Sequence, residues 1–174
     1  MAERLSFIGV GIEELRKKLV GKAIRIFNKG VGCPDLDQID IVKSIEPPDV
    51  SDIGLALQRI AELLFFCVGV FDKRLLAVFP ETQITVLDSV KASEIDFEQA
   101  KAMFMGHEVW LHQRGSSYRF EVESVLLNED PKSPIAPGFI MPVEFKFWFK
   151  QKNEVKEGRP YVPIEADDIL AVIE

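Results

Sequence analysis

The chain is poor in the residues that most often carry chemistry. It has two cysteines, Cys33 and Cys67, and two histidines, His107 and His112, in 174 residues. Two cysteines cannot build the dense disulfide framework that holds small secreted domains together, which points to a reducing compartment. Basic charge is also scarce, with 21 Lys and Arg against 28 Asp and Glu for a net charge of −7. Duplex nucleic acid and anionic membranes both select proteins with a positive footprint, so neither is an expected partner. Long hydrophobic runs are missing too. The most apolar stretch, 53–71, is interrupted by Gln58, Arg59 and Glu62, and its unbroken part, 63–71, falls short of a bilayer span of about 20 residues. The start, Met1-Ala2-Glu3-Arg4, lacks the basic region and apolar run of a secretory signal. A cytoplasmic location, with no membrane partner, is the expectation.

What is present suits a packed fold. Hydrophobic residues make up 47% of the chain, thirteen of them Phe, and a chain of 174 residues can bury most of its apolar surface without staples. Ile12, Leu15 and Leu19 recur at helical spacing, with acids before bases, and Gly21 supplies a stop, which predicts a short helix. Residues 22–28 alternate and are followed by the turn chemistry of Asn28, Lys29, Gly30 and Gly32, and a second strand is predicted at 39–45. Ser51 would cap a longer helix carrying Ile53, Leu57, Ile60, Ala61 and Leu64 on one stripe. Strands are then expected from Cys67 to Phe71, over 74–79 and over 84–87, and a third helix, capped by Ser93, runs to Met105 before Gly106. The last third reads as strands at 108–113, 118–127 and 143–150. The Pro-rich stretch 131–138 forms a loop, and the closing segment, 167–173, fits either a strand or a short helix.

The fold class expected is α+β, mainly an antiparallel sheet that could close toward a barrel, with about three helices. Residues 1–174 would form one compact unit, or two lobes, 1–92 and 106–174, joined by a helix over 93–105. A faint internal echo supports lobes: Asp37-Gln38-Ile39 leading to Ile45-Glu46 resembles Asp167-Asp168-Ile169 leading to Ile173-Glu174, after Gly21-Lys22 and Gly106-His107 respectively. Fold repeats usually share a longer pattern, so chance also explains it.

Individual motifs are weak. Gly9-Val10-Gly11 lacks the third glycine of a dinucleotide loop, and Glu14 in its place would repel a pyrophosphate, leaving a strand-to-helix turn. His107 and His112 are five apart, a spacing that turns two imidazoles away from one metal on either a strand or a helix. Asp35, Asp37 and Asp40 lack the spacing of a calcium loop and read as a solvated turn. Cys33 sits among aspartates that would raise its pKa, and Cys67 sits among apolar residues as packing. No catalytic set, metal site or cofactor is expected, and the balance leans away from an enzyme.

The most informative feature is aromatic. Trp110 and His112 share one strand face, and Trp148 lies between Lys146 and Lys150 on another. Indoles left on a wet face suit protein partners, because they bury much area at low entropic cost. Trp110, His112, Lys146, Trp148 and Lys150 are therefore the candidate binding residues of a non-catalytic protein-binding or assembly module, one able to associate with itself. Two other functions use the same chain differently: stacking of single-stranded RNA on the Lys and aromatic face, or a small ligand or enzymatic substrate held in a pocket between lobes. The competing structural explanation is that both tryptophans are simply core, as Trp is highly buried on average.

Overall fold

A computed structural model of the chain describes residues 3–5, 7, 9–29, 35–47, 64–70, 75–127, 145–152 and 160–173. The chain divides into two compact units, Met1–Leu87 and Asp88–Glu174. The division falls at 87/88, and the helix expected over 93–105 lies within the second unit.

In the first unit, β1 (Glu3–Leu5) leads through the Gly9 turn to α1 (Ile12–Leu19), then to β2 (Ala23–Asn28), β3 (Leu36–Glu46), β4 (Phe65–Gly69), β5 (Leu75–Val78) and β6 (Gln83–Leu87). All pairings are antiparallel, and the sheet order is β1-β6-β2-β3-β4-β5. Alternation along β2 turns Ile24 and Ile26 to a core shared with Val42, Ile45, Phe65, Cys67, Val78 and Ile84. The buried stripe of α1, Leu15 and Leu19, completes that core.

The second unit repeats this plan. β7 (Ser89–Lys91) leads through a single 3-10 turn, Ala92–Glu94, to α2 (Phe97–Phe104). There follow β8 (Glu108–Gln113), β9 (Ser116–Leu126), β10 (Phe145–Gln151), β11 (Tyr161–Glu165) and β12 (Ile169–Val172). Its order, β7-β12-β8-β9-β10-β11, matches that of the first unit strand for strand. Ala100 and Phe104 of α2 pack with Val109, Leu111, Val122, Phe147, Phe149 and Leu170.

The correspondence extends to single hydrogen bonds. Both helices end at a glycine in the left-handed region, Gly21 at φ 80° and Gly106 at φ 82°, a conformation that costs a residue without Cβ nothing. Gly21 N–H donates to Val42 O at 2.8 Å and Gly106 N–H to Val122 O at 2.7 Å. Lys22 N–H then donates to Leu19 O, and His107 N–H to Phe104 O. The register of β3 on β4 shifts between Val42 and Ser44. That of β9 on β10 shifts between Lys150 and Gln151, where Ser124 and Val122 are the partners. Each bulge lies at the same place.

Several sequence expectations need correction. The echo placed 37–46 against 167–174, but the strand equivalent to β3 is β9, and Asp167-Asp168 corresponds to Glu81-Thr82 before the last strand of each unit. Ser93 does not cap α2. Asp96 does, because its carboxylate accepts from Gln99 N–H at 2.8 Å while Gln99 Oε1 accepts from Asp96 N–H at 2.9 Å. The closing segment is a strand. Strands β1, β7 and β11 escaped the sequence reading, two of them too short for any alternation to show. Neither sheet is a closed barrel, since each order ends on two different strands, and the described residues contain two α-helices. The stripe from Ile53 to Ala61 and the 131–138 stretch lie outside the described residues.

Candidate functional site

The aromatic strands are interior ones. β8 is paired by β9 and β12, and β10 by β9 and β11. Along each, alternate residues turn to the helix-covered core: Val109 and Leu111 on β8, Phe147 and Phe149 on β10. Trp110, His112 and Trp148 therefore face the other side of the sheet. There they are not left in water: Trp110 is 1% exposed, Trp148 is 7% exposed, and His112 is buried. Trp148 packs with Leu126 and Tyr161. Trp110 and His112 stack with ring centroids 6.1 Å apart, and His112 Nδ1 lies 3.0 Å from Ser117 Oγ on the paired strand. The expectation of two exposed indoles is thus overturned by both strands being central and both faces being covered within the chain.

The lysines are engaged as well. Lys146 Nζ reaches Ile95 O at 3.4 Å. Lys150 Nζ pairs with Glu123 at 2.6 Å, and Lys152 Nζ with Glu121 at 2.6 Å. The hydrogen bond to Glu123 is the largest influence raising the Lys150 pKa. The five candidate residues share one unit, but they do not assemble into an exposed patch.

The remaining motifs resolve into structural roles. Gly9, at φ 80°, makes the turn into α1, with Val10 N–H donating to Phe7 O. Asp37 is held by Arg25 through two bonds of 2.9 Å. Asp40 is buried, and its Oδ1 accepts from Ile41 N–H at 2.6 Å. No group of three His, Cys, Asp or Glu able to hold a metal ion occurs among the described residues. Burial pushes the Cys67 thiol up to about 12, which keeps it protonated and inert. Cys33 lies outside the described residues. No described helix is long and apolar enough to cross a membrane.

Sequence reading missed a polar arrangement that both units share among the described residues. At the end of β2, Asn28 Nδ2 donates to Ala77 O of β5 at 3.0 Å, and Thr82 Oγ1 donates to Asn28 Oδ1. Thr82 Oγ1 also accepts from Phe79 N–H at 2.8 Å, closing the turn before β6. At the end of β8, Gln113 Nε2 donates to Pro163 O of β11 at 2.8 Å and to Asp168 Oδ2 at 2.7 Å. Asp168 Oδ2 in turn accepts from Glu165 N–H at 2.7 Å. An amide side chain thus ties the edge strand of each sheet back to an interior strand. The signal was in the sequence: Asn28 and Gln113 stand at the same distance after Gly21 and Gly106.

The helix-end turns carry a second shared feature. Val20 and Met105 occupy the same position, between the last helical turn and the glycine, and are 43% and 46% exposed. No known protein family, curated protein or solved structure matches the chain.

Proposed function

We propose that this chain is a non-catalytic protein-binding or assembly module of the cytoplasm that associates with a second copy of itself. The observation that carries this reading is the display of one apolar residue at the same helix-end turn of both units, Val20 and Met105. With Leu36, Val70, Tyr118 and Leu127 they are among the large apolar side chains that stand at least 39% exposed among the described residues, and covering such side chains is favourable. The buried polar groups described above, Asn28 with Thr82 and Gln113 with Asp168, hold strands and turns together. Stacking of single-stranded bases on the same face is the weaker reading, since both indoles are buried. One edge strand of each sheet, β5 and β11, is tied back by an amide, which also fits a rigid scaffold.

Light scattering after size-exclusion chromatography tests the proposal. The wild type is expected to exceed monomer mass at tens of micromolar, and V20D with M105D to return it to monomer. Covering each side chain is worth roughly 1 kcal/mol or more, so each substitution should weaken association by about tenfold. A wild type that is strictly monomeric at that concentration would overturn self-association.

A further inference from the structure

We propose that two copies of this chain meet head to tail, the Val20 corner of one copy seating on the Met105 corner of the other. The inference rests on the self-association proposed above and names the surfaces that meet. The two corners are the same piece of backbone, each a helix-end turn bonded to a long strand, yet they carry different charge.

At the first corner, Gly21 N–H donates to Val42 O and Val70 N–H to Ile41 O, each at 2.8 Å. These bonds bring Val20 and Val70, 43% and 40% exposed, to neighbouring peptides of β3. Ile41 is half-buried there, and Lys43 is exposed. The cations of this corner are Arg16, Lys17, Lys18, Lys22 and Lys43. Glu13 pairs with Arg16 and Glu14 with Lys18, and no acid occurs in the sequence from Leu15 to Pro34. The corner is apolar at Val20 and positive around it.

At the second corner, Gly106 N–H donates to Val122 O at 2.7 Å and Lys152 N–H to Glu121 O at 3.0 Å, the same two bonds. In that register Ala102 stands for Lys17, Met103 for Lys18, His107 for Lys22, Glu121 for Ile41 and Glu123 for Lys43. The exchange runs the other way at Val68 and Val70, where Lys150 and Lys152 stand and pair with Glu123 and Glu121. Around Met105, Glu98, Glu108, Glu121 and Glu123 outnumber Lys101, Lys150 and Lys152. A carboxylate accepts at both oxygens, so Glu121 and Glu123 can each receive a second cation. Pairing the Val20 corner with its own kind sets lysine against lysine, and pairing the Met105 corner with its own kind sets acid against acid. Pairing the unlike corners places lysines of one copy against glutamates of the other and covers both apolar side chains. Such a contact is heterologous, built from two different surfaces of the same chain.

Complementation between two variants of the full chain, followed by analytical ultracentrifugation, tests the arrangement. Val20→Asp spoils the first corner alone and Met105→Asp the second alone. Each variant by itself is expected to associate about tenfold more weakly than wild type. Mixed in equal amounts they should regain wild-type affinity, because one keeps an intact Met105 corner and the other an intact Val20 corner. Circular dichroism and Trp fluorescence check that both variants fold, and Val20→Ser with Met105→Ser take their place if either does not. Raising the ionic strength from about 0.1 M to 1 M, which shortens the screening length from about 10 Å to about 3 Å, should weaken the wild-type contact several-fold. A mixture no stronger than its components, or a loss caused by one variant and not the other, would mean that a corner meets its own kind. Full association by both variants would put the contact elsewhere. Either result overturns the head-to-tail arrangement and leaves self-association standing, whereas a monomeric wild type removes self-association itself and this arrangement with it.

Discussion

The two units share a chain path and almost nothing else. At positions made equivalent by strand order and register, Arg25 stands where Trp110 does, Asp40 where Phe120 does, Cys67 where Phe149 does, and Gly69 where Gln151 does. The first unit carries 11 Lys and Arg against 12 Asp and Glu, the second 10 against 16, so nearly all of the net −7 belongs to the second. What is retained is backbone geometry: the left-handed glycine after the helix, the bulge beside it, and the amide-to-carbonyl tie of the edge strand. Such features are set by local conformational needs that few residues meet, while core volume can be filled by many combinations of apolar side chains.

The largest test of that equivalence lies in the cores. Leu19 and Phe104 occupy the same place at the end of the two helices, and both are fully buried. Leu19→Ala should cost about 2–5 kcal/mol and Phe104→Ala about 3–5 kcal/mol, through lost transfer energy and the cavity left behind. Since only the second unit contains tryptophan, Phe104→Ala should move the fluorescence transition. Leu19→Ala should show first in far-ultraviolet circular dichroism. A cost below 1 kcal/mol at either site would break the comparison, because that helix would not be seated in its core as the other is.

A smaller effect separates the units where their fillings conflict. A Cβ added at Gly69 would lie 1.9 Å from Asp40 Oδ2, so Gly69→Ala must displace a buried carboxylate. Overpacking of this kind costs about 1–3 kcal/mol. The second unit carries Gln151 at the equivalent strand position and Phe120 in place of Asp40, which shows that the backbone there accepts a side chain when the aspartate is absent. Asp40→Ala should therefore recover most of the loss, and a double-mutant cycle by urea unfolding measures the coupling. Additive costs would mean that the glycine is required for its backbone alone.

Four alternating strands were legible in the sequence to within three residues: 22–28, 39–45, 108–113 and 118–127 against β2, β3, β8 and β9. The helix α1 was legible as well, since a 3.6-residue stripe with charge ordering has few other solutions. The repeat was only half visible. Gly21 and Gly106 were seen as partners, but the loop between the next two strands differs in length between the units, which shifted every later correspondence and matched β3 to the wrong strand. The tryptophans were placed on the correct strand face, yet alternation cannot say whether a second face is wet. Burial there depends on what else in the chain covers the sheet. The candidate binding patch failed at that step, and the ties at Asn28 and Gln113 were missed because a lone polar residue at a strand end has no periodicity to announce it.

The helix starts give the finest contrast between the units. α2 begins at a full capping box, with Asp96 accepting from Gln99 N–H and Gln99 returning a bond to Asp96 N–H. α1 begins at Gly11, which has no side chain to offer, so its first N–H groups lack that partner. Gly11 has extended backbone angles, φ −69° and ψ 150°, of the kind a capping aspartate adopts, and nothing lies within 4 Å of where its Cβ would stand. Replacing Asp96 by Ala should cost α2 about 1 kcal/mol, whereas Gly11→Asp should stabilise α1 by only a few tenths. The asymmetry arises because glycine leaves the helix end open to water, which already satisfies part of what a cap supplies, while alanine shields it and offers no acceptor. Hydrogen exchange of the first-turn amides of each helix reads both effects separately. If Gly11→Asp brought no added protection to α1, the first turn of that helix would owe its order to Leu15 and Leu19 in the core and not to its end.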